Sequence, residues 1–109
     1  MSVTVVRYTT KPDRADENQA LIEKVFGELS ANRSPGLRYA SFRLADGVSF
    51  VHVASVDTND GTNPLTATPA FMEFLRDIKE RCEEAPMASD ATVVGSYRFW
   101  PADTGSASS

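Results

Sequence analysis

The chain has 109 residues, of which 41% are hydrophobic and 24% charged, an ordinary composition for one globular domain. Eleven Lys and Arg against fifteen Asp and Glu give a formal net charge of −4, and the basic residues form no patch, so nucleic acid is not expected as a partner. Neither a secretory signal nor an apolar run of about eighteen residues is present, which predicts a cytoplasmic protein without a membrane partner.

Metal and disulfide chemistry are not expected either. Cys82 is the single cysteine and His52 the single histidine, thirty positions apart, whereas a structural zinc site needs four such ligands. The chain also lacks a glycine-rich phosphate loop and a dinucleotide fingerprint. We therefore predict no metal site and no cofactor.

The first half of the chain predicts a strand, a helix and a hairpin. β-branched residues over 3–10 favour a strand, which Lys11 and Pro12 end. Asp13 is the expected N-cap of a helix over 13–31. A breaker cluster follows at 32–36, and strands over 37–44 and 48–56 flank Asp46 and Gly47, a pair typical of tight hairpin turns.

The second half predicts a long connection, a helix and a strand. The polar connection over 57–67 is long enough to be a candidate lid. Thr68 and Pro69 are typical of a helix start, and the helix should end before Pro86. Residues 91–100 have strand composition, and 101–109 are small and polar, as in a disordered tail. Residues 1–100 are thus expected to form a single domain.

The predicted order β-α-β-β-α-β is that of an α+β ferredoxin-like domain, a four-stranded antiparallel sheet with two helices on one face. In the strand 48–56, alternation sets Phe50, His52, Ala54 and Val56 on one side and Val51 and Val53 on the other, and neither side is strongly polar. An apolar outer face needs a cover, and a second copy of the chain packed sheet to sheet is the simplest one. We therefore expect a homodimer.

The chain resembles the dimeric α+β barrel superfamily, and within it the antibiotic biosynthesis monooxygenase-like proteins. The resemblance spans nearly all of 3–100 and consists of three short motifs: Val6-Arg7-Tyr8 before Lys11-Pro12, Ser34-Pro35-Gly36-Leu37, and Pro69-Ala70-Phe71-Met72-Glu73-Phe74. It implies a pocket between sheet and helices in each subunit. Relatives of known activity include cofactor-free oxygenases of polyketide quinols, haem-degrading enzymes and lactone isomerases.

The haem-degrading branch has an Asn on the first strand and a Trp near the end of the third. Val6 and Val56 stand in those places here, which argues against haem degradation. His52 lies on the same strand face as Val56 and is expected to point into the same pocket.

Three side chains are the candidate catalytic residues. His52 has the one side chain whose ordinary pKa lies near neutrality, and the hydroxyls of Tyr8 and Tyr97, on strands expected to be neighbours, could hold a developing oxyanion. Tyr39 offers a further hydroxyl for substrate binding. The other candidate substrate-binding residues are aromatic and would line an apolar pocket: Phe50, Phe71, Phe74 and Trp100.

Two functional interpretations remain open at this stage. The chain is a cofactor-independent monooxygenase, or an isomerase of the same superfamily, acting on a small aromatic or enolic compound. Alternatively it is a non-catalytic dimeric barrel that binds a small hydrophobic ligand, or a barrel that is simply filled. An open cavity with His52 and a Tyr hydroxyl at its wall would favour the enzyme.

Overall fold

The structure is a computed structural model and describes residues 2–33, 36–57 and 63–99. Within these residues the fold comprises four strands and three helices. They are, in chain order, β1 (Ser2–Thr10), α1 (Ala15–Asn32), β2 (Leu37–Arg43), β3 (Ser49–Val56), α2 (Pro69–Leu75), α3 (Ile78–Arg81) and β4 (Cys82–Ala91). A short 3-10 turn, Pro12–Arg14, connects β1 to α1.

The strands form one antiparallel sheet in the order β2-β3-β1-β4, which confirms the predicted ferredoxin-like fold. One face of this sheet contributes Tyr8 and Phe50 to the core, and α1 and α2 cover that face with Ile22, Val25 and Phe74. The core therefore lies between the sheet and the helices.

Helix α1 begins later than the sequence predicts. Asp13 is not its N-cap, because Pro12 starts the 3-10 turn and the α-helix begins only at Ala15, after Arg14. The helix ends at Asn32, one residue from the predicted end, where Arg33 takes a left-handed conformation (φ 51°) and donates its backbone N–H to the Leu29 carbonyl.

The hairpin between β2 and β3 is confirmed. Gly47 has a φ of 80°, which a residue with a Cβ rarely adopts. The Asp46 carboxylate accepts hydrogen bonds from the backbone N–H groups of Val48 and Ser49 at 3.0 and 2.8 Å. This turn fixes the register that pairs Ser41 with His52.

The prediction of one long second helix is wrong. The helix breaks after Leu75, where Asp77 takes a left-handed conformation (φ 64°), and only a single turn follows before the strand begins. The buried Arg81 guanidinium donates to the carbonyl oxygens of Phe74 at 2.6 Å and Arg76 at 3.1 Å, beside this break. These carbonyls lie at the end of α2, where no following helical turn supplies an N–H donor, and the guanidinium supplies the hydrogen bonds instead.

The prediction of the last strand over 91–100 is also wrong, because β4 occupies Cys82–Ala91. Residues 83–90 contain no β-branched or aromatic side chain, so their composition gave no strand signal. An edge strand tolerates such residues, and the shifts in register between β1 and β4 accommodate Pro86 as part of a bulge.

Several predicted features lie at or beyond the ends of the described residues. Residues 92–99 follow β4 without forming a strand. Trp100 and the tail 101–109 lie outside the described residues, as do 58–62 of the candidate lid. The last part of that connection, 63–67, is a hydrogen-bonded turn in which the Asn63 side chain accepts the backbone N–H of Leu65. No helix among the described residues is both long and apolar enough to span a membrane.

Two phenylalanine variants test the corrected position of the last strand. Phe50 is 1% exposed and Phe99 is 55% exposed. We expect Phe50→Ala to lower the free energy of unfolding by about 3–5 kcal/mol, because it leaves a cavity in the core. Phe99→Ala should cost less than half as much in urea unfolding. Equal losses would instead support a packed strand over 91–100.

Candidate active site

The polar centre of the molecule is His52, which is 4% exposed in the middle of β3. Its Nε2 atom lies 2.8 Å from the Tyr8 hydroxyl on β1. Its Nδ1 atom lies 2.7 Å from the Tyr39 hydroxyl and 2.8 Å from the Ser41 hydroxyl, both on β2. Both ring nitrogens are therefore hydrogen-bonded to side chains of the two neighbouring strands.

The hydrogen bonds continue beyond Tyr8 into the helices. Asn18 of α1 donates from Nδ2 to the Tyr8 hydroxyl at 2.8 Å. Its Oδ1 atom accepts a hydrogen bond from the Nε–H group of Arg81 at 3.1 Å. Asn18 and Arg81 are both buried. A continuous polar chain thus runs from the end of α3, through α1 and β1, to His52.

A cavity of about 270 Å³ opens beside this chain, between the sheet and the segment that contains α2 and α3. Its polar side groups include His52 and the tyrosines Tyr8 and Tyr39, whereas most of its remaining wall is apolar. The aliphatic and aromatic lining residues are Val6, Ala54, Val56, Leu65, Phe71, Phe74, Leu75, Ile78 and Pro86. Such a combination is typical of a binding site for a small organic molecule.

Burial shifts the pKa of each titratable group at the polar wall toward its neutral form. Desolvation lowers the pKa of His52 to about 4 and raises that of Tyr39 to about 12. The pKa of Tyr8 is also raised, mainly by burial, although the hydrogen bond from Asn18 acts in the opposite direction. At neutral pH the imidazole and both phenols are uncharged.

The structure brings five of the predicted site residues together at this cavity. These are His52, Tyr8, Tyr39, Phe71 and Phe74. Aromatic contacts arrange them: the Tyr39 ring stacks on Phe26 at 5.0 Å and meets the edge of Phe71 at 6.4 Å. A cavity therefore lies where the resemblance implies a pocket, while the assignment of these residues to a functional site remains a prediction.

Three predicted site residues are not at the cavity. Tyr97 is 81% exposed and stacks with Arg98, because β4 ends at Ala91 and cannot bring it beside Tyr8. Phe50 lies behind the cavity, stacked on the Tyr8 ring at 5.6 Å, and does not line it. Trp100 lies outside the described residues.

Sequence reasoning missed Asn18, Ser41 and Arg81. Asn18 falls within the stretch expected to be helical, where a polar residue is ordinarily read as solvent-facing. Ser41 could have been found, since antiparallel pairing across the Asp46-Gly47 turn places it directly opposite His52. Arg81 gave no signal, because the break in the second helix that buries it was not predicted.

Metal ions need groups of ligand side chains that lie close together. No group of three His, Cys, Asp or Glu side chains comes together as a metal site in the part of the chain that the structure describes. Val6 and Val56, at the positions where the resemblance implies Asn and Trp in haem-degrading proteins, line the cavity with aliphatic surface.

Comparison with known proteins identifies the fold. No protein-family model matches the chain, and no curated protein does. Among solved structures, an antibiotic biosynthesis monooxygenase is 15% identical, with a TM-score of 0.69 over 87% of this chain and 100% of that one. Rv0793 from Mycobacterium tuberculosis is 14% identical, with a TM-score of 0.68 over 87% of this chain and 96% of that one.

A further similar structure is a variant of SnoaB, a cofactor-independent oxygenase from Streptomyces nogalater. It is 18% identical, with a TM-score of 0.63 over 87% of this chain and 94% of that one. The fold is therefore that of the antibiotic biosynthesis monooxygenase-like proteins, which confirms the resemblance seen in the sequence at the level of fold.

The depressed pKa of His52 predicts how stability depends on pH. Burial lowers this pKa from 6.5 to about 4, so between these values the unfolded chain binds a proton that the folded chain does not. The free energy of unfolding therefore does not vary with the protonation of His52 above about pH 6.5. It decreases as the pH drops from there to about 4, by about 3 kcal/mol in total. An NMR titration of the single histidine should give a midpoint near pH 4. A midpoint near 6.5 would contradict the buried, uncharged ring.

Proposed function

We propose that the protein is a cofactor-independent oxygenase that acts on a small aromatic or enolic compound. The observation that carries this proposal is the cavity of about 270 Å³ whose wall holds His52 beside the hydroxyls of Tyr8 and Tyr39. SnoaB, a cofactor-independent oxygenase, supports it through the shared fold.

The size and lining of the cavity suit a compound of two or three fused rings. An apolar cavity of about 150 Å³ holds one benzene molecule, so about 270 Å³ leaves room for a larger ring system. Phe71 and Phe74 offer aromatic surface, with their ring centroids 6.1 Å apart. The polar wall would then face an oxygen substituent of the bound molecule.

In this proposal a proton reaches His52 through Tyr8. Both ring nitrogens of His52 are already bonded to hydroxyls, so a substrate hydroxyl would give its proton to the Tyr8 oxygen while Tyr8 passes its own to Nε2. The Tyr39 hydroxyl would donate to the oxygen that becomes negative. A nearby anion raises the pKa of the imidazole, so the low value of the empty cavity does not prevent this step.

The substrate anion would itself reduce molecular oxygen. For an enolisable ring CH₂ group, one electron passes from the anion to O₂, and the two radicals combine through a carbon–oxygen bond. His52 returns its proton through Tyr8 to the peroxide. Loss of the second carbon-bound proton together with hydroxide, as water, leaves a ring carbonyl. One oxygen atom ends in the carbonyl and the other in water, so O₂ accepts all four electrons that the CH₂ carbon loses.

A non-catalytic binding protein is the second candidate. The observation that favours it is the complete hydrogen bonding of His52, since these bonds to neighbouring strands are also those of a purely structural core histidine. An isomerase of the same fold would use the same proton path without oxygen. Oxygen consumption separates the oxygenase from both alternatives.

Oxygen uptake with His52→Ala tests the catalytic role. We expect the wild-type protein to speed oxygen consumption by a panel of enolisable aromatics of one to three rings, anthrone among them. His52→Ala should lower this rate about 100-fold or more, because the proton acceptor is lost. Lys24→Ala removes an exposed salt bridge to Glu73 and should change nothing. Unchanged oxygen uptake by His52→Ala would contradict the proposed role of His52 as proton acceptor.

We also propose that the protein is a cytoplasmic homodimer. The sheet face turned away from the helices carries Val51 and Val53, Phe42 at 43% exposure and Met87 at 77% exposure, and one exposed cation, Arg7, lies between Val51 and Met87. Exposed apolar side chains gathered on one sheet face favour an interaction site. A second copy packed sheet to sheet would cover it.

A charge placed in the centre of that face tests the dimer. Native mass spectrometry of the wild-type protein should show two copies together with any retained ligand. Val53→Asp should give monomers, because an unpaired carboxylate would be buried between two sheets. Asp77→Asn, on the opposite side of the fold at an exposed position, should remain dimeric. A wild-type monomer at micromolar concentration would contradict the proposal.

A further inference from the structure

We propose that Arg81 and Asn18 are positioning residues that fix the tautomer of His52. They leave Nε2 as the unprotonated nitrogen and turn a hydroxyl proton toward the cavity. The tautomer follows from contacts alone, whereas its value for taking up a substrate proton rests on the proposed function.

The starting point is the buried guanidinium of Arg81. Its residue is 1% exposed, yet no carboxylate among the described residues forms a salt bridge with it. Its donors reach the carbonyl oxygens of Phe74 and Arg76 and the side-chain oxygen of Asn18. A guanidinium only donates hydrogen bonds, so the atom of Asn18 that faces it must be the oxygen.

Asn18 carries this direction onward. With its oxygen held by Arg81, its amide NH₂ group is the part that faces the Tyr8 hydroxyl, 2.8 Å away. Tyr8 therefore accepts a hydrogen bond from Asn18. The single proton of the phenol is then left for its other close neighbour, His52 Nε2, also at 2.8 Å.

The proton on His52 is placed by elimination. Nε2 accepts from Tyr8 and must have a free electron pair, so the neutral imidazole carries its hydrogen on Nδ1. In the opposite tautomer, Nε2–H and the Asn18 amide would both donate to the Tyr8 oxygen, and the phenol proton would lose its acceptor, Nε2. Arg81, through Asn18 and Tyr8, thus selects the Nδ1–H form.

At the far end of the ring, this tautomer leaves a donor for the ligand. Nδ1, the Tyr39 hydroxyl and the Ser41 hydroxyl are mutual neighbours and together hold three protons. Nδ1–H donates to one hydroxyl, and one hydroxyl donates to the other, so one hydroxyl proton has no acceptor within the group. Tyr39 lines the cavity and Ser41 does not. When the remaining proton is that of Tyr39, the tautomer offers a donor to a ligand oxygen that is an acceptor or an anion.

The first measurement is the ¹⁵N NMR spectrum of the wild-type ring, which is simple to assign because the chain has one histidine. Protonated and unprotonated ring nitrogens have widely separated chemical shifts. We expect Nδ1 to be protonated and Nε2 unprotonated at pH 7. The reverse assignment would overturn the inference without any variant having to fold.

The second measurement is the same spectrum of Asn18→Asp. A carboxylate at this position accepts from both Arg81 and Tyr8, so Tyr8 no longer donates to His52. Nε2 should then become the protonated nitrogen. Asn32→Asp adds the same charge at an exposed position of the same helix and should leave the spectrum unchanged. A folded Asn18→Asp protein that keeps the wild-type tautomer would refute the role of Asn18.

Binding of para-nitrophenol separates this inference from the proposed function. The wild-type protein should favour the phenolate form, seen as a lowered pKa of the bound dye in its absorbance. Asn18→Asp and Tyr39→Phe should each weaken phenolate binding by about tenfold or more, because the donor to a charged oxygen is lost. A tautomer that flips without this loss upholds the role of Arg81 and Asn18 but contradicts an anion site at Tyr39.

Discussion

The hydroxyl group of Tyr8 is the point at which the parts of this fold meet. It comes from the central strand β1, accepts from Asn18 of α1 and lies beside His52 of β3. The bulge in β4 falls opposite this residue, so regular pairing with β4 is interrupted where the side chain enters the core. Each of these groups is buried, and a buried polar group left without a partner is costly, so none of them can move independently of the others.

The contrast between the two halves of the cavity wall explains how a small protein can hold a reactive group. Apolar residues exclude water, which destabilises the charged form of His52 relative to the neutral form and lowers its pKa to about 4. The same low polarity strengthens every hydrogen bond that a bound oxygen anion would receive. An empty cavity and an occupied one therefore differ strongly in which protonation state they favour.

The sequence predicts those parts of the fold that local chemistry determines. The hairpin follows from Asp46 and Gly47, and strand alternation predicts that His52 and Val56 share a face, where both line the cavity. The last strand could not be predicted, because 83–90 have almost no intrinsic strand preference and gain their conformation only by pairing with β1. The more strand-like residues 92–99 misled the prediction for the same reason, and Tyr97 was misplaced with them.

The candidate site was predicted in part for a related reason. Residues that share a strand face, such as Tyr8 and His52 across the β1–β3 pair, can be inferred from alternation and pairing. Contacts between distant elements cannot. Arg81 meets Asn18 across 63 positions of sequence, and only the packed structure shows it.

The three hydrogen bonds of Arg81 link the end of α2 to the proton on His52. The same planar group that holds the Phe74 and Arg76 carbonyls also orients Asn18, whereas a lysine, with one compact ammonium, could not reach three such directions with the same geometry. Phe74 is also part of the cavity wall. A ligand that displaces Phe74 would therefore also disturb the hydrogen bonds of the Arg81 guanidinium. The shape of the cavity and the protonation of His52 are coupled in this way. Evolution of the cavity toward a new ligand would then also change the pKa of the site.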